Sequence, residues 1–171
     1  MSKEIERKFI VDQTKLPSLG KGVRIRQGYI LNSPEKVVRV RTSDFGGSST
    51  WGYITVKGPN EGMTRDEFEY DIPFEEANEM LDKLCPRVLE KTRYDLVYEN
   101  VDWEIDFFEG QTLVLGEVEL RNESDDIPIP EWAEKEVTDD PRFYNSNLIK
   151  EFFKVANEDL NHLIRKAKDS I

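Results

Sequence analysis

Three side chains close together in the chain have the types and spacing to do chemistry as a group. They are Glu4, Glu6 and Lys8, in the run Glu4-Ile5-Glu6-Arg7-Lys8-Phe9-Ile10-Val11. Alternate residues of a β-strand share one face, so the two carboxylates and the ammonium point one way, with Ile5, Phe9 and Val11 on the other side. Two carboxylates beside an ammonium suit a site that must hold a divalent metal and a polyanion at once. The same two-residue spacing recurs downstream: Arg39 and Arg41, Thr55 and Lys57, Arg65 with Glu67 and Glu69, Lys91 and Arg93, Glu104 and Asp106, Glu117 and Glu119.

The elements that must position these residues read as strands. Period-two alternation of apolar and charged residues marks half-buried antiparallel strands at Glu4–Val11, Val23–Ile30, Val37–Thr42, Trp51–Gly58, Thr64–Ile72, Arg87–Glu99, Val101–Phe108 and Thr112–Arg121. Eight strands are enough for a closed sheet. Gly46-Gly47-Ser48-Ser49 and Gly58-Pro59-Asn60-Glu61-Gly62 mark turns. Phe74–Leu84 carries Ala77, Met80, Leu81 and Leu84 at helical spacing and is followed by Pro86, so it reads as a helix. Beyond residue 130 the period changes. Pro130–Val137 reads as a short helix with proline in its first turn, and Ser146–Ala156 and Leu160–Ala167 carry broad apolar stripes.

Composition narrows the possibilities. The 171 residues suffice for one well-buried domain, with no Pro/Gly/Ser-rich linker to divide them, so 1–171 is expected to be a single domain. With 35 acids against 24 bases the net charge is −11, which argues against nucleic acid or an anionic membrane as a partner. A basic site must therefore be local and enclosed. A lone cysteine, Cys85, and no apolar leader point to a cytoplasmic protein without internal disulfides.

On the strands, one face collects the charged residues. The other collects Val38, Val40, Ile54, Val56, Phe68, Tyr70, Ile72, Trp103, Ile105, Phe107, Val114, Val118 and Leu120. That apolar face must be covered, and the amphipathic helices are the available cover. The expected architecture is mainly β (α+β): an eight-stranded antiparallel closed barrel with helices packed outside and charges lining the interior. Isolated ions there would be very costly unless paired or occupied by metal and ligand, and a water-filled tunnel with a cationic ligand side and an acidic metal side resolves the cost. Charged faces of strands are ordinarily solvated, and cross-strand salt bridges offer an alternative. Exposed pairs of that kind contribute only about 0 to 1 kcal/mol each, a weak reason for so many. Other signatures are absent: His162 reads as a surface residue of the last helix, Cys85 as packing, Trp51, Trp103 and Trp132 as core or cover, and no phosphate-binding Gly-x-x-x-x-Gly-Lys-Ser/Thr loop occurs.

In this layout the chain resembles the CYTH superfamily, the triphosphate tunnel metalloenzymes. Glu4-Ile5-Glu6-Arg7-Lys8 matches the family's Glu-x-Glu-x-Lys, Arg39-Val40-Arg41 its Arg-x-Arg strand and Thr55-Val56-Lys57 its Thr-x-Lys strand. Arg65 to Glu69, Lys91-Thr92-Arg93, Asp106 and Glu117-Val118-Glu119 follow in the family's order, so the likeness covers residues 1 to about 155. The resemblance implies a tunnel that binds triphosphate through Arg39, Arg41, Lys57, Arg65, Lys91 and Arg93. It implies Mg²⁺ or Mn²⁺ held by Glu4, Glu6 and Glu119, with Glu117 and Asp106 as further candidates. The chain looks most like the short bacterial members that hydrolyse inorganic tripolyphosphate, in which a tyrosine after Arg-Gln-Gly pairs with the signature lysine, here Tyr29 with Lys8. Those two are the expected catalytic pair, with the Lys8 pKa falling among neighbouring cations so that the pair positions or deprotonates water. The substrate is then a small-molecule triphosphate and the protein a monomer or homodimer. Class IV adenylate cyclases and thiamine triphosphatases share the superfamily, and a non-catalytic polyphosphate-binding module remains an alternative.

Overall fold

The computed structural model describes residues 2–154 and 164–170. The alternating segments form β1 (Ser2–Val11), β2 (Val23–Asn32), β3 (Val37–Asp44), β4 (Thr50–Lys57), β5 (Thr64–Ile72), β6 (Val88–Tyr98), β7 (Val101–Phe108) and β8 (Val114–Glu119). Every pairing is antiparallel. The order is β5-β4-β3-β2-β6-β7-β8-β1, and β1 also pairs with β5, closing an eight-stranded barrel. Between β6 and β7 the chain reverses through Glu99 and Asn100, whose φ values of 46° and 65° match the twist of the flanking strands.

β1 serves three neighbours. Residues 2–5 pair with β5, 6–10 with β8 and 9–11 with β9 (Ala133–Glu136). This strand replaces the short helix expected at Pro130–Val137. The physical reason is the end of β1: where β5 no longer accompanies it, its backbone groups need partners. The β9 ladder supplies them, continued by the Val137 amide donating to the Lys8 carbonyl at 2.8 Å.

Helix α1 (Phe74–Leu84) keeps its expected bounds. Glu75 and Glu76 in its first turn and Lys83 in its last suit the helix dipole. It buries Ala77 and Leu81 beside Val40 and Cys85, on the outer face of the barrel. Two glycines let it sit close: a Cβ on Gly52 would lie 2.8 Å from the Ile72 carbonyl oxygen and 2.9 Å from Ala77 Cβ, and one on Gly28 would lie 2.8 Å from Cys85 Cβ.

Helices supply only part of the outer cover. Over β1, β7 and β8 it comes from loops instead: Leu120, Ile127, Trp132 and Leu16 pack on Phe9, Val11, Trp103, Ile105 and Val118. Trp103 and Trp132 meet edge to face with ring centres 5.0 Å apart. On β4 and β5, Val56, Phe68 and Tyr70 remain exposed. At one end the inner face itself turns apolar, where Ile10, Tyr29, Val37, Leu89, Phe108 and Leu115 are sealed by Phe143, Leu148, Ile149 and Ala167. Leu148 and Ile149 belong to α2 (Asn145–Lys154), and residues 164–169 are helical. Of the helix expected over Leu160–Ala167, residues 160–163, His162 among them, lie outside the described residues. No helix among the described residues is long and apolar enough to cross a membrane.

Candidate active site

Register carries the charged residues to a common interior. Opposite partners are Glu6 and Glu119, Lys8 and Glu117, Glu4 and Arg65, Lys57 and Glu67, Arg39 and Thr55, Tyr29 and Arg39, Gln27 and Arg41, and Arg93 and Asp106. The cavity they enclose has two lobes that meet at Glu4, Glu6, Arg39, Lys57 and Asn145. The larger lobe, about 770 Å³, adds Arg41, Glu67, Glu69, Arg93, Glu104, Glu117, Glu119 and Arg121 to its walls. The smaller adds Lys8, Tyr29 and Arg65 with Asn60, Thr138 and Tyr144.

Many of these charges neutralise one another. Lys57 Nζ lies 2.7 Å from Glu4 and 3.1 Å from Glu67. Arg39 donates to Thr55 Oγ1 at 3.1 Å and to Glu69 at 3.3 Å. Arg93 grips Asp106 with two bonds of 2.7 and 2.8 Å and reaches Glu104 at 2.6 Å. Lys91 closes on Asp106 at 2.6 Å with neither side chain exposed. Lys8 Nζ donates to the Phe143 carbonyl at 3.1 Å and faces Glu117 at 3.5 Å.

Others have no counter-charge. Among the described residues, Glu6, Arg41 and Arg65 take part in no ion pair. Arg65 donates to the Gly58 carbonyl at 2.7 Å and Arg41 to the amide oxygen of Gln27 at 2.9 and 3.2 Å, both neutral acceptors. The buried Nε atoms of Arg39 and Arg65 find no acceptor, and Glu117 Oε1 accepts no hydrogen bond. Buried polar atoms are ordinarily satisfied, and leaving one unmatched costs about 1–3 kcal/mol. Such atoms, facing one cavity from several strands, mark a place for polar ligands.

Titration follows the same geometry. Burial, reinforced by the carboxylates of Glu117 and Glu4, pushes the Glu6 carboxyl up to about 8. Burial also opposes ionisation of Glu4, but the Lys57 ammonium and Arg39 outweigh it and hold that carboxyl below its ordinary value. Burial, Arg39 and Arg93 bring Arg41 down to about 10. Lys8 moves opposite to expectation. Burial disfavours its charge, but Glu117, Glu6, Asp106 and Glu4 prevail and raise its pKa, because its close neighbours are acids rather than cations. Tyr29 is raised as well, by burial, so both groups keep their protons near neutrality.

The acids fit a divalent cation by chemistry. Glu6 is unpaired and destabilised as an anion by its neighbours Glu117 and Glu4, and Glu119 lies opposite it across the strand pair. A hard cation with oxygen ligands removes that repulsion. Among the described residues no three carboxylates are already drawn into ligating geometry.

Of the residues singled out from sequence, Glu4, Glu6, Lys8, Tyr29, Arg39, Arg41, Lys57, Arg65, Arg93, Glu117 and Glu119 line the cavity. Lys91 and Asp106 are set back, forming a fully buried pair behind Arg93, and both Asp106 oxygens are engaged. Tyr29 and Lys8 share the smaller lobe, but the bond made by Tyr29 Oη is from Gln27 Nε2, at 3.3 Å. Gln27, Tyr144 and Asn145 escaped the sequence reading. Gln27 was legible as the inner-face neighbour of Tyr29, whereas Tyr144, in a connection, and Asn145, at the very start of α2, reach the cavity where no periodic signal marks them.

Comparison with known proteins agrees with this arrangement. A family model of the CYTH domain matches residues 2–144. The inorganic triphosphatase of Acetivibrio thermocellus is 48% identical over 161 residues, covering 92% of this chain and 100% of that one. The crystal structure of the inorganic triphosphatase NE1496 superposes with a TM-score of 0.60 at 32% identity, over 87% of this chain and 95% of that one. HpAC1 from Hippeastrum, named as an adenylyl cyclase and described as having a dominant triphosphatase activity, shares the fold at 15% identity and a TM-score of 0.52, over 70% of this chain and 80% of that one.

Proposed function

We propose that this chain, which belongs to the CYTH domain family, hydrolyses inorganic tripolyphosphate to pyrophosphate and phosphate with the help of a divalent cation. Members of the family are metal-dependent in general. The observation that carries the reading is the pattern of unmatched charge. Arg41 and Arg65 carry charge without acidic partners and Arg39, though paired with Glu69, keeps an unmatched Nε donor, all in a cavity shared with Glu6, a carboxyl without a basic partner. An anion alone would leave Glu6 uncompensated, and a metal alone would leave the arginines so. A triphosphate carrying a cation compensates both.

Hydrolysis needs the negative charge of the phosphates neutralised and the chain held for in-line attack by water. Arg39, Arg41, Arg65 and Arg93 offer planar forks suited to phosphate oxygens, and Lys57 a point charge. They would fix the substrate and stabilise pyrophosphate as it leaves. Glu4, Glu6 and Glu119, with Glu117 beside them, would hold Mg²⁺ or Mn²⁺, which supplies charge neutralisation at the phosphates and a lowered pKa for attacking water. Lys8 acts as a fixed ammonium, pinned by the Phe143 carbonyl and Glu117, and Tyr29 as a neutral donor in the same lobe. Lys91 and Asp106 brace Arg93 from behind. Residues 1–171 would work as one tunnel domain in the cytoplasm, as a monomer or homodimer, with no nucleic-acid or membrane partner.

The test is phosphate release by the purified protein from tripolyphosphate, ATP and thiamine triphosphate, each with Mg²⁺ and with Mn²⁺. Tripolyphosphate should turn over fastest. Cyclic AMP as the main product from ATP, or tight tripolyphosphate binding without turnover in either metal, would overturn the assignment.

A further inference from the structure

Gln27 lies behind the cavity wall. It is fully buried, with 0% exposure, and sits on the inner face of β2, opposite Arg41 on β3 and Leu89 on β6. Its side chain touches two cavity residues at once. Oε1 accepts from Arg41 Nη2 at 2.9 Å and from Arg41 Nε at 3.2 Å, and Nε2 donates to Tyr29 Oη at 3.3 Å.

The orientation of this amide follows from its partners. A guanidinium only donates, so the amide oxygen must face Arg41 and the amide nitrogen must face Tyr29. The phenol oxygen therefore receives a hydrogen bond and keeps its own hydrogen for another partner. Tyr29 lines the smaller lobe with Lys8 and Arg39. Burial keeps its phenol protonated, against the opposing pull of Arg39, Arg41 and Lys8. Arg41 meanwhile is held along one edge by a neutral acceptor. Among the described residues its Nη1 makes no hydrogen bond and it takes part in no ion pair, in contrast to Arg39 and Arg93, which face Glu69, Glu104 and Asp106.

From this geometry we propose that Gln27 is a positioning residue for triphosphate hydrolysis, locking the Arg41 fork along the cavity wall and turning the Tyr29 phenol hydrogen toward the bound phosphates. The amide is the side chain that does both. A carboxylate at this position would still accept from Arg41 but would neutralise it and could not donate to Tyr29. An apolar side chain would release both. The inference rests on the triphosphatase reading and concerns the same cavity.

Three variants test it: Gln27→Met, which keeps the volume and removes both bonds; Gln27→Glu, which keeps the acceptor and adds a charge; and Tyr29→Phe. The measurements are kcat and KM for tripolyphosphate, the salt dependence of kcat/KM, and tripolyphosphate binding by calorimetry. Gln27→Glu should raise KM about tenfold or more and flatten the salt dependence, since one cation is cancelled. Gln27→Met should lower kcat about tenfold, and its effect should not add to that of Tyr29→Phe, since both break one hydrogen-bonded unit. A folded Gln27→Met protein with wild-type kcat and KM, or fully additive losses in the double variant, would overturn the proposal. Should Gln27→Glu fail to fold, the Met and Phe cycle decides alone. An inactive wild-type protein would instead refute the triphosphatase reading, so the two failures are distinct.

Discussion

Burial and the neighbouring carboxylates push the Glu6 carboxyl up to about 8, so the proposed role of Glu6 as a metal ligand predicts a metal affinity tied to pH. Its folded pKa lies above the value of 4.5 for an unperturbed group, so the metal-free fold holds a proton that the unfolded chain gives up. Its contribution to stability is thus fully present below pH 4.5 and lost as pH rises through about 8. A cation must displace the same proton, so affinity should fall about tenfold per pH unit below the pKa of this group. Calorimetry with Mn²⁺ at about pH 6 and about pH 8.5 reads the effect, and Glu6→Gln should abolish the dependence while raising the half-activating metal concentration about tenfold or more. Equal affinity of the unmodified protein at both pH values would remove Glu6 from the metal site. Sequence alternation identified the face on which Glu6 lies, together with Glu4, Lys8, Arg39 and Arg41. It did not separate working residues from supporting ones, because Lys91 and Asp106 share the alternation of Arg93 and Glu104. Only register and depth, which bring Lys91 and Arg93 onto one carboxylate, make that distinction. Gln27 carries no charge and so left no mark in a charge pattern.

At the scale of elements, the seat of α1 is the place most sensitive to small changes. Gly52→Ala would set a methyl 2.8 Å from the Ile72 carbonyl and 2.9 Å from Ala77, both parts of the rigid strand and helix contact. A loss of about 1–3 kcal/mol is expected, measured by denaturant unfolding, with KM for tripolyphosphate unchanged because α1 lies outside the tunnel. An unaltered unfolding midpoint would mean that the helix can shift freely. The bounds of α1 were readable because eleven residues hold several periods of a helix and Pro86 stops it. β9 was not readable. Ala133-Glu134-Lys135-Glu136 is made of residues that favour helices, and four positions are too few to show a period. The open flank of β1 decided its conformation. The loop cover over Trp103 likewise left no pattern, since loops need no periodicity to bury a tryptophan such as Trp132.

For the molecule as a whole, a net charge of −11 surrounds a cavity lined by acids and bases together, the bases including Arg39, Arg41, Lys57 and Arg65. The empty tunnel is costly, since Arg41, Arg65 and Glu6 are enclosed there without counter-charges among the described residues, the arginines offset only by neutral acceptors. Tripolyphosphate with a divalent cation should therefore raise Tm strongly. At a concentration about 100 times Kd the gain is about 2.7 kcal/mol, worth roughly 5–10 °C for a chain of this size. Differential scanning fluorimetry in Ca²⁺ or Mg²⁺ reads it, and no shift with a saturating mixture would count against an enclosed anion site. The closed barrel was foreseeable from eight alternating segments and from charges too numerous for a solvated face, but the apolar seal at one end was not, because it is built from α2 and from strand ends where alternation gives way. One last consequence follows from β1 and its seams. The strand carrying Glu4, Glu6 and Lys8 zips to β5 about sixty positions along the chain and to β8 more than a hundred along. Contacts so distant in sequence make for slow folding, and the acids proposed to hold the cation come together only once β1 has paired with β8. Activity regained during refolding should accordingly lag behind the recovery of bulk β-structure, with catalysis the final event of ring closure.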